Sequence, residues 1–466
     1  MSAAFAPPVP AIPEHRLGRG AYLRTLRTNT IATWPREAYE LPIRAATLLG
    51  RPSLLLNDPE AIHHVLVANP ENYRRTAASI RLLRPVVGNG LLLAEGDAWR
   101  HQRRTLAPSF APRVMPMLCR HIALATTGWL SGLVPRAAAG PVDLLAEMQG
   151  LTLEIAGRAL FSLETGAFRD EMRAMITEFG LTLARPYLLD LLLPLGLPSP
   201  RDLLRWRFKR RWMRLIDRIL AARLAVSAGG AGPGGTETGG DARDLLDLML
   251  AARDPESGEA FDRTALREQV ATLIVAGHET TAVALFWSLF LLAAVPEEQE
   301  RVAAEVAGLA ITAENAATML PRMPRTRAVV SEALRLYPPA ATIVRQAMAD
   351  DRAGEIAIRR GTVVFVAPWV LHRHRRLWHE PDRFDPSRFL PDAPPPPRFA
   401  YLPFGAGPRI CIGAQFALAE AALVLAMLIQ RFTVTRATAE PVVPVSVVTT
   451  HPDHPPTFRL RARPAA

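Results

Sequence analysis

The sequence predicts a mainly α protein with a minor β region. Three observations carry this prediction. Apolar residues recur at helical spacing through most of the chain, and one stretch, Asp262 to Ala294, sustains that spacing for about 33 residues, roughly 50 Å at the helical rise. The β-like runs, in contrast, are short and fall toward the two ends.

Pro52 to Leu56 reads as a strand, and Asp58-Pro59-Glu60 as the N-cap and first turn of a helical pattern reaching Val67. Helical patterns follow at Trp99 to Leu106, Val114 to Leu133 and Val142 to Phe161, separated by Gly/Pro breaks. Pro186 to Pro198 is apolar yet broken by prolines, either a buried connection or an entrance loop touching hydrophobic ligands or a membrane surface. Leu203 to Leu224 forms a basic amphipathic helix. Ser227 to Asp241 has the composition of a flexible linker, and the helical pattern resumes over Ala242 to Ala252. A helix runs through Ser331 to Leu336 and another from Ala414 to Phe432. Strands are predicted at Thr362 to Val366, Phe432 to Thr435, Val442 to Thr449 and Thr457 to Leu460. The sheet is thus built from both ends of the chain, with residues 1–51 as a lead-in and residues 52–466 as one domain.

With 49% hydrophobic and 21% charged residues, the 466-residue chain has the apolar content for a packed interior and does not have a disordered composition. Its net charge is +11, almost all from arginine, since Lys209 is the only lysine. Heavy use of Arg, Ala, Gly and Pro is the mark of a GC-rich bacterial genome. The basic residues are scattered through helical stretches and no nucleic-acid motif accompanies them, so nucleic-acid binding is not expected. Two cysteines are too few for a disulfide framework and suit a reducing cytosol. No secretory leader and no span of about 20 apolar residues is found, so a cytoplasmic protein without a transmembrane segment is expected. Cys119 sits on an apolar helical face, as a small buried hydrophobe does.

Cys411 lies differently, in Phe404-Gly405-Ala406-Gly407-Pro408-Arg409-Ile410-Cys411-Ile412-Gly413, just ahead of a helix. Glycines allow the backbone to approach a flat cofactor, and the positive end of a helix favours a thiolate; this is the setting of a metal ligand. Within the long central helix, Ala276-Gly277-His278-Glu279-Thr280-Thr281 is a polar patch on an otherwise apolar element, costly unless paired or used. Trp99 and Arg103, four apart on a helix, point an indole N–H and a guanidinium the same way, which suits a carboxylate. Glu332 and Arg335 share a helix face.

These segments together resemble the cytochrome P450 family. The cysteine loop matches that family's haem signature, Phe-x-x-Gly-x-Arg-x-Cys-x-Gly, at every fixed position. Glu332-Ala333-Leu334-Arg335 resembles its Glu-x-x-Arg pair, and Pro381-Asp382-Arg383-Phe384 its Pro-x-Arg-Phe element. The resemblance implies a triangular helical single domain, and a soluble haem-thiolate monooxygenase of bacterial type with haem b ligated by Cys411. It implies contacts to the cofactor from Trp99, Arg103, Ala276, Arg345, Phe404, Arg409 and Gly413. Glu279 and Thr280 become a catalytic proton-delivery pair, and Glu332, Arg335 and Arg383 a structural triad. Arg100 and Arg104 are left as a solvated face or a docking patch.

By the same resemblance, one atom of O2 enters a lipophilic substrate by hydroxylation or epoxidation. Candidate pocket segments are Ala77 to Val87, Leu181 to Leu193, Pro338 to Val344 and Val445 to Thr449. The sequence carries no flavin, nicotinamide or iron–sulfur motif, so a ferredoxin or flavodoxin with its NAD(P)H reductase is expected to supply electrons to a monomer. Two competing readings are a peroxide-using or isomerising haem-thiolate enzyme and a non-catalytic haem or lipophile binder; the retained Glu279 and Thr280 count against both.

Overall fold

A computed structural model describes residues 5–162, 166–230 and 242–464. The expected element order holds. Helix Arg263–Ala294 begins at an Asp262 cap whose side chain accepts the Ala265 N–H, and stops before Pro296, which cannot extend it. Its second half, from Ala282 to Leu292, is buried all round. Such a helix belongs at the centre, and it packs against Leu144–Phe161, Ala414–Arg431 and Pro324–Leu336.

Trp287 fixes the axial position of this helix. Its ring stacks on Tyr337 at 3.9 Å and its indole N–H donates to the Thr450 carbonyl at 2.7 Å, joining the central helix to the C-terminal strands. Two helices, Arg263–Ala294 and Ala414–Arg431, are long and apolar enough to cross a membrane, but both are mostly buried against protein. Cys119 is buried as expected, and burial pushes its thiol up to about 11.

Four small sheets complete the described residues. The largest has the order Ile43–Leu48, Arg51–Leu56, Val363–Val366, Ile343–Ala347, Tyr73–Arg74, with one parallel pairing between Arg51–Leu56 and Val363–Val366. A second joins Val142–Asp143, Thr457–Ala462 and Phe432–Arg436, uniting the middle and the end of the chain. Asp351–Ala353 with Ile356–Ile358, and Pro444–Ser446 with Thr450–Pro452, form two hairpins.

Several expectations are corrected here. Residues 1–51 are more than a lead-in: Ile43–Leu48 is an edge strand, and Ile31, Ala38 and Tyr39 lie in the core. Val442 to Thr449 is not one strand, because the chain turns back after Ser446 and pairs with Thr450–Pro452. The helix beginning at Asp202 runs to Gly230, so the proposed linker shortens at its start; residues 231–241 lie outside the described residues.

Pro186 to Pro198 is not a buried connection. Arg81 donates to the carbonyls of Asp190, Leu193, Pro194 and Leu197, and Asp190 is held in a buried pair with Arg205 at 2.7 Å. The segment is therefore anchored through its backbone and one carboxylate, which leaves Leu188, Leu189, Leu192, Leu195 and Leu197 exposed.

Candidate functional site

The cysteine loop is shaped by two left-handed glycines, Gly405 and Gly407. A side chain on Gly407 would start 2.0 Å from the Leu66 carbonyl oxygen, so only glycine lets the loop lie against that turn. The Cys411 N–H donates to the Phe404 carbonyl at 3.0 Å, closing the loop, and Gly413 precedes the helix Ala414–Arg431.

Cys411 is exposed to a probe, yet it is so enclosed by protein that burial pushes its thiol up, with the Gly413 N–H and Arg103 opposing that push. Both hold if the sulfur opens on an internal cleft. Ala276 fits the same picture: it is exposed in the middle of a helix, between half-buried Val275 and Gly277, and no neighbouring element comes within 4 Å of where a Gly277 side chain would start. The small residues leave space beside the central helix. Thr280 Oγ1 donates to the Ala276 carbonyl at 2.5 Å, the back-bond expected of a threonine that opens a helix for water.

Glu279 is held by several groups. Gln149 Nε2 donates to its carboxylate at 3.2 Å, His451 Nδ1 lies at 3.8 Å and His278 Nδ1 at 3.9 Å. Burial pushes this carboxyl up, but the His451, His278 and Gln149 contacts outweigh it and hold the group below its usual value.

On the other side of the cysteine loop lies a surplus of positive charge. Burial, then the neighbouring Arg75 and Arg409, lowers Arg345 to about 9; burial and Arg409 lower Arg75 to about 10. Burial also lowers Arg409, whose guanidinium stacks over Trp99 at 4.6 Å and reaches Glu95 and the Ala94 carbonyl. Arg345 donates only to its neighbour's carbonyl, Val344, at 2.9 Å. Glu95 is the shared counter-ion of Arg75 and Arg409. Three half-desolvated guanidiniums with one carboxylate are electrostatically incomplete, and a dianionic group such as a pair of propionates would complete them. The residues present therefore fit a haem: a thiol in a loop shaped by glycines, small residues on the central helix with open space beside them, and guanidiniums short of negative charge. Trp99 serves these guanidiniums through its stacking under Arg409, and Arg103 is half-buried near Cys411.

The expected triad is corrected at its third member. Arg335 grips both oxygens of Glu332 at 2.7 Å, and both residues are completely buried. The Arg383 side chain points away to Glu380; only its carbonyl takes part, accepting from Arg335 Nη2 at 2.8 Å. Arg388 stands instead at 3.7 Å from Glu332 Oε1, and the Asp385 N–H donates to the same oxygen at 2.8 Å. Pro386-Ser387-Arg388-Phe389 repeats the Pro-x-Arg-Phe pattern five residues later, a signal present in the sequence and passed over. Arg75 and His451, also missed, lie in no motif.

Arg335 also donates to the carbonyls of His372 and Pro381. His372 answers with Nδ1–H to the Arg335 carbonyl at 3.1 Å, while its Nε2 accepts the Leu402 N–H at 2.8 Å, two residues before Phe404. Arg100 and Arg104 are ion-paired within the chain, with Asp97 and Glu71 and with Asp254 and Glu256, and so are not free charges.

A family model described as Cytochrome P450 matches residues 32–454. Cyclooctat-9-en-7-ol 5-monooxygenase of Streptomyces melanosporofaciens is 32% identical over 378 residues, 80% of this chain and 78% of that protein. Cyclooctatin synthase of the same organism is 33% identical over 393 residues, 82% of this chain and 80% of its own. The crystal structure of the cytochrome P450DA heme domain matches with a TM-score of 0.79 at 25% identity, over 98% of both chains.

Two outcomes follow from this geometry. Replacing Arg388 by Ala should cost about 2–4 kcal/mol in a denaturant titration, because a buried carboxylate loses a cation, whereas Arg383→Ala should stay within about 0.5 kcal/mol. Burial, with the nearby Arg335 charge, lowers His372 to about 3. The unfolded chain takes up that proton near 6.5, so the contribution of His372 is complete above pH 6.5 and declines as pH falls from there toward 3. Unfolding midpoints measured across that window should fall more steeply for the wild type than for His372→Gln.

Proposed function

The chain belongs to the cytochrome P450 family, and from that premise we propose that it oxidises a lipophilic organic substrate by hydroxylation or epoxidation, using electrons from a separate redox partner. It is a monooxygenase by family, with a cysteine-ligated haem, which we assign as haem b. When bound, the haem supplies reduction and cleavage of O2 and insertion of one oxygen atom into the substrate. The observation that supports this reading best is the pairing of an enclosed Cys411 with the incompletely neutralised Arg75, Arg345 and Arg409.

Cys411 would hold the iron through its sulfur, and the Gly413 N–H and Arg103 favour that sulfur as a thiolate. Arg75, Arg345 and Arg409 would bind the haem's carboxylates, while Trp99 keeps Arg409 in place. Ala276 and Gly277 would leave room beside the group for O2. Thr280, tied to the Ala276 carbonyl, is placed to hold a water where a proton is consumed, and Glu279, a carboxylate at rest, takes up the next proton and passes it on. A chain that rearranged a substrate without external electrons would have no use for this relay, which favours the monooxygenase over its two competitors.

The substrate is a lipophilic molecule large enough to use the apolar segments around the cleft, and two similar proteins carry names of enzymes working on cyclooctatin compounds. The electron donor is an acidic ferredoxin or flavodoxin served by an NAD(P)H reductase. It docks on the cysteine side, where Phe110 lies 3.9 Å from where a Gly413 side chain would start and Arg113, three residues on, is exposed. A monomer in a bacterial cytoplasm completes the reading, with no nucleic-acid partner.

Thr280→Ala tests the proposal. With the relay disrupted, product formed per O2 consumed should fall several-fold and hydrogen peroxide should rise to match, because general acid catalysis contributes on the order of 10²–10⁴-fold where it operates. An isomerase or a binder would release no additional peroxide on this substitution, and that result would sink the monooxygenase reading.

A further inference from the structure

Glu279 needs a source of protons, and burial separates it from bulk water; its side chain is 19% exposed. His451 lies between the two. It sits on the strand Thr450–Pro452 of the last hairpin, its side chain is 35% exposed, and its Nδ1 is 3.8 Å from Glu279 Oε1, a gap that a small rotation or one water closes. Thr449 Oγ1 lies 3.3 Å from the same nitrogen and steadies the ring.

The other flank of Glu279 is a histidine of fixed tautomer. His278 Nε2 lies 2.9 Å from the Gln149 carbonyl, which only accepts, so that nitrogen carries the hydrogen. Burial lowers His278 and keeps it neutral. Its Nδ1 is therefore a bare acceptor, without a hydrogen-bond partner, 3.9 Å from Glu279 Oε2. A carboxylate at Glu279 is favoured by a donor on the His451 side; a carboxylic acid is favoured by the acceptor on the His278 side. The two protonation states of Glu279 thus each have a histidine suited to them.

We propose that His451 is the positioning residue that reloads Glu279 with protons from solvent. Water protonates His451 at Nε2, the ring gives its Nδ1 proton to Glu279 Oε1, and exchange with water restores the starting tautomer. Each pass moves one proton and leaves the ring neutral; two passes supply the two protons that reduction of one O2 requires alongside one oxygen insertion. The facing groups are Glu279 and His278 from the central helix and Gln149 from Leu144–Phe161, while Arg173 acts on His278 from Gly166–Glu178. On the hairpin side, Asp453 is paired with His454 at 2.9 Å.

The proposal rests on the monooxygenase reading, and two variants separate the fates of the two. In the resting wild-type protein, the ring signals of His451 in histidine-labelled NMR should move on Glu279→Gln, since the carboxylate 3.8 Å from Nδ1 is lost. His451→Gln, with its haem spectrum unchanged, should slow turnover roughly tenfold, increasingly so as pH rises, with KM within about twofold and an enlarged solvent isotope effect. If the His451 ring signals ignore Glu279→Gln, or His451→Gln keeps the wild-type pH profile and isotope effect, the relay is overturned. Should Glu279→Gln slow turnover while His451→Gln does not, only His451 loses its role; should neither matter, the acid role of Glu279 falls as well.

Discussion

Glu332 and Arg335 place an ion pair where water does not reach, and the approach to the cysteine loop is organised around it. Removing both charges from water is expensive, and the cost is offset only because every oxygen and N–H of the pair finds a partner. Those partners are backbone groups of His372, Pro381, Arg383 and Asp385, so the pair holds a long irregular segment that secondary structure does not. His372 carries the constraint onward to Leu402, and the Phe404 carbonyl then receives the Cys411 N–H. Burial raises the Glu332 carboxyl while Arg335, the Asp385 N–H and Arg388 oppose that rise. The chemistry at Cys411 thus depends on electrostatics some distance away in sequence.

The cleft has a matching asymmetry. One wall is a rigid loop that only glycine at 407 permits, with the thiol at its end. On the central helix, small residues at 276 and 277 leave space, and there Ala276 is left uncovered. Along the rim, Arg75, Arg345 and Arg409 repel one another and are incompletely neutralised by Glu95. Such an arrangement costs stability by itself and is best relieved by a dianion. The polar groups around Glu279 differ, since they hold one carboxylate among two histidines and an amide.

Much of this was legible in the sequence because the signals are local. The cysteine loop, the apolar periodicity of the central helix and the Glu332–Arg335 pair are each set by residues close together in the chain. What was misread depends on distant contacts. Pro-x-Arg-Phe occurs twice, five residues apart, and only the position of buried Glu332 selects Arg388 over Arg383. The leucines of 186–198 suggested burial, yet Arg81 grips the backbone and turns them outward. Arg75 and His451 gain meaning from partners 270 and 172 residues away in sequence, Arg345 and Glu279, which no local pattern reveals. The strand Ile43–Leu48 lacks strong alternation and is defined by its pairing with Arg51–Leu56.

The most direct measurement of the central claim is the absorption spectrum of the reduced, CO-treated protein, for the wild type and Cys411→Ser. The account predicts the strongly red-shifted Soret band of thiolate-ligated haem in the wild type and its loss in the variant while circular dichroism shows the helices intact. An unshifted band in freshly folded wild type, or the red-shifted band persisting in Cys411→Ser, would contradict it.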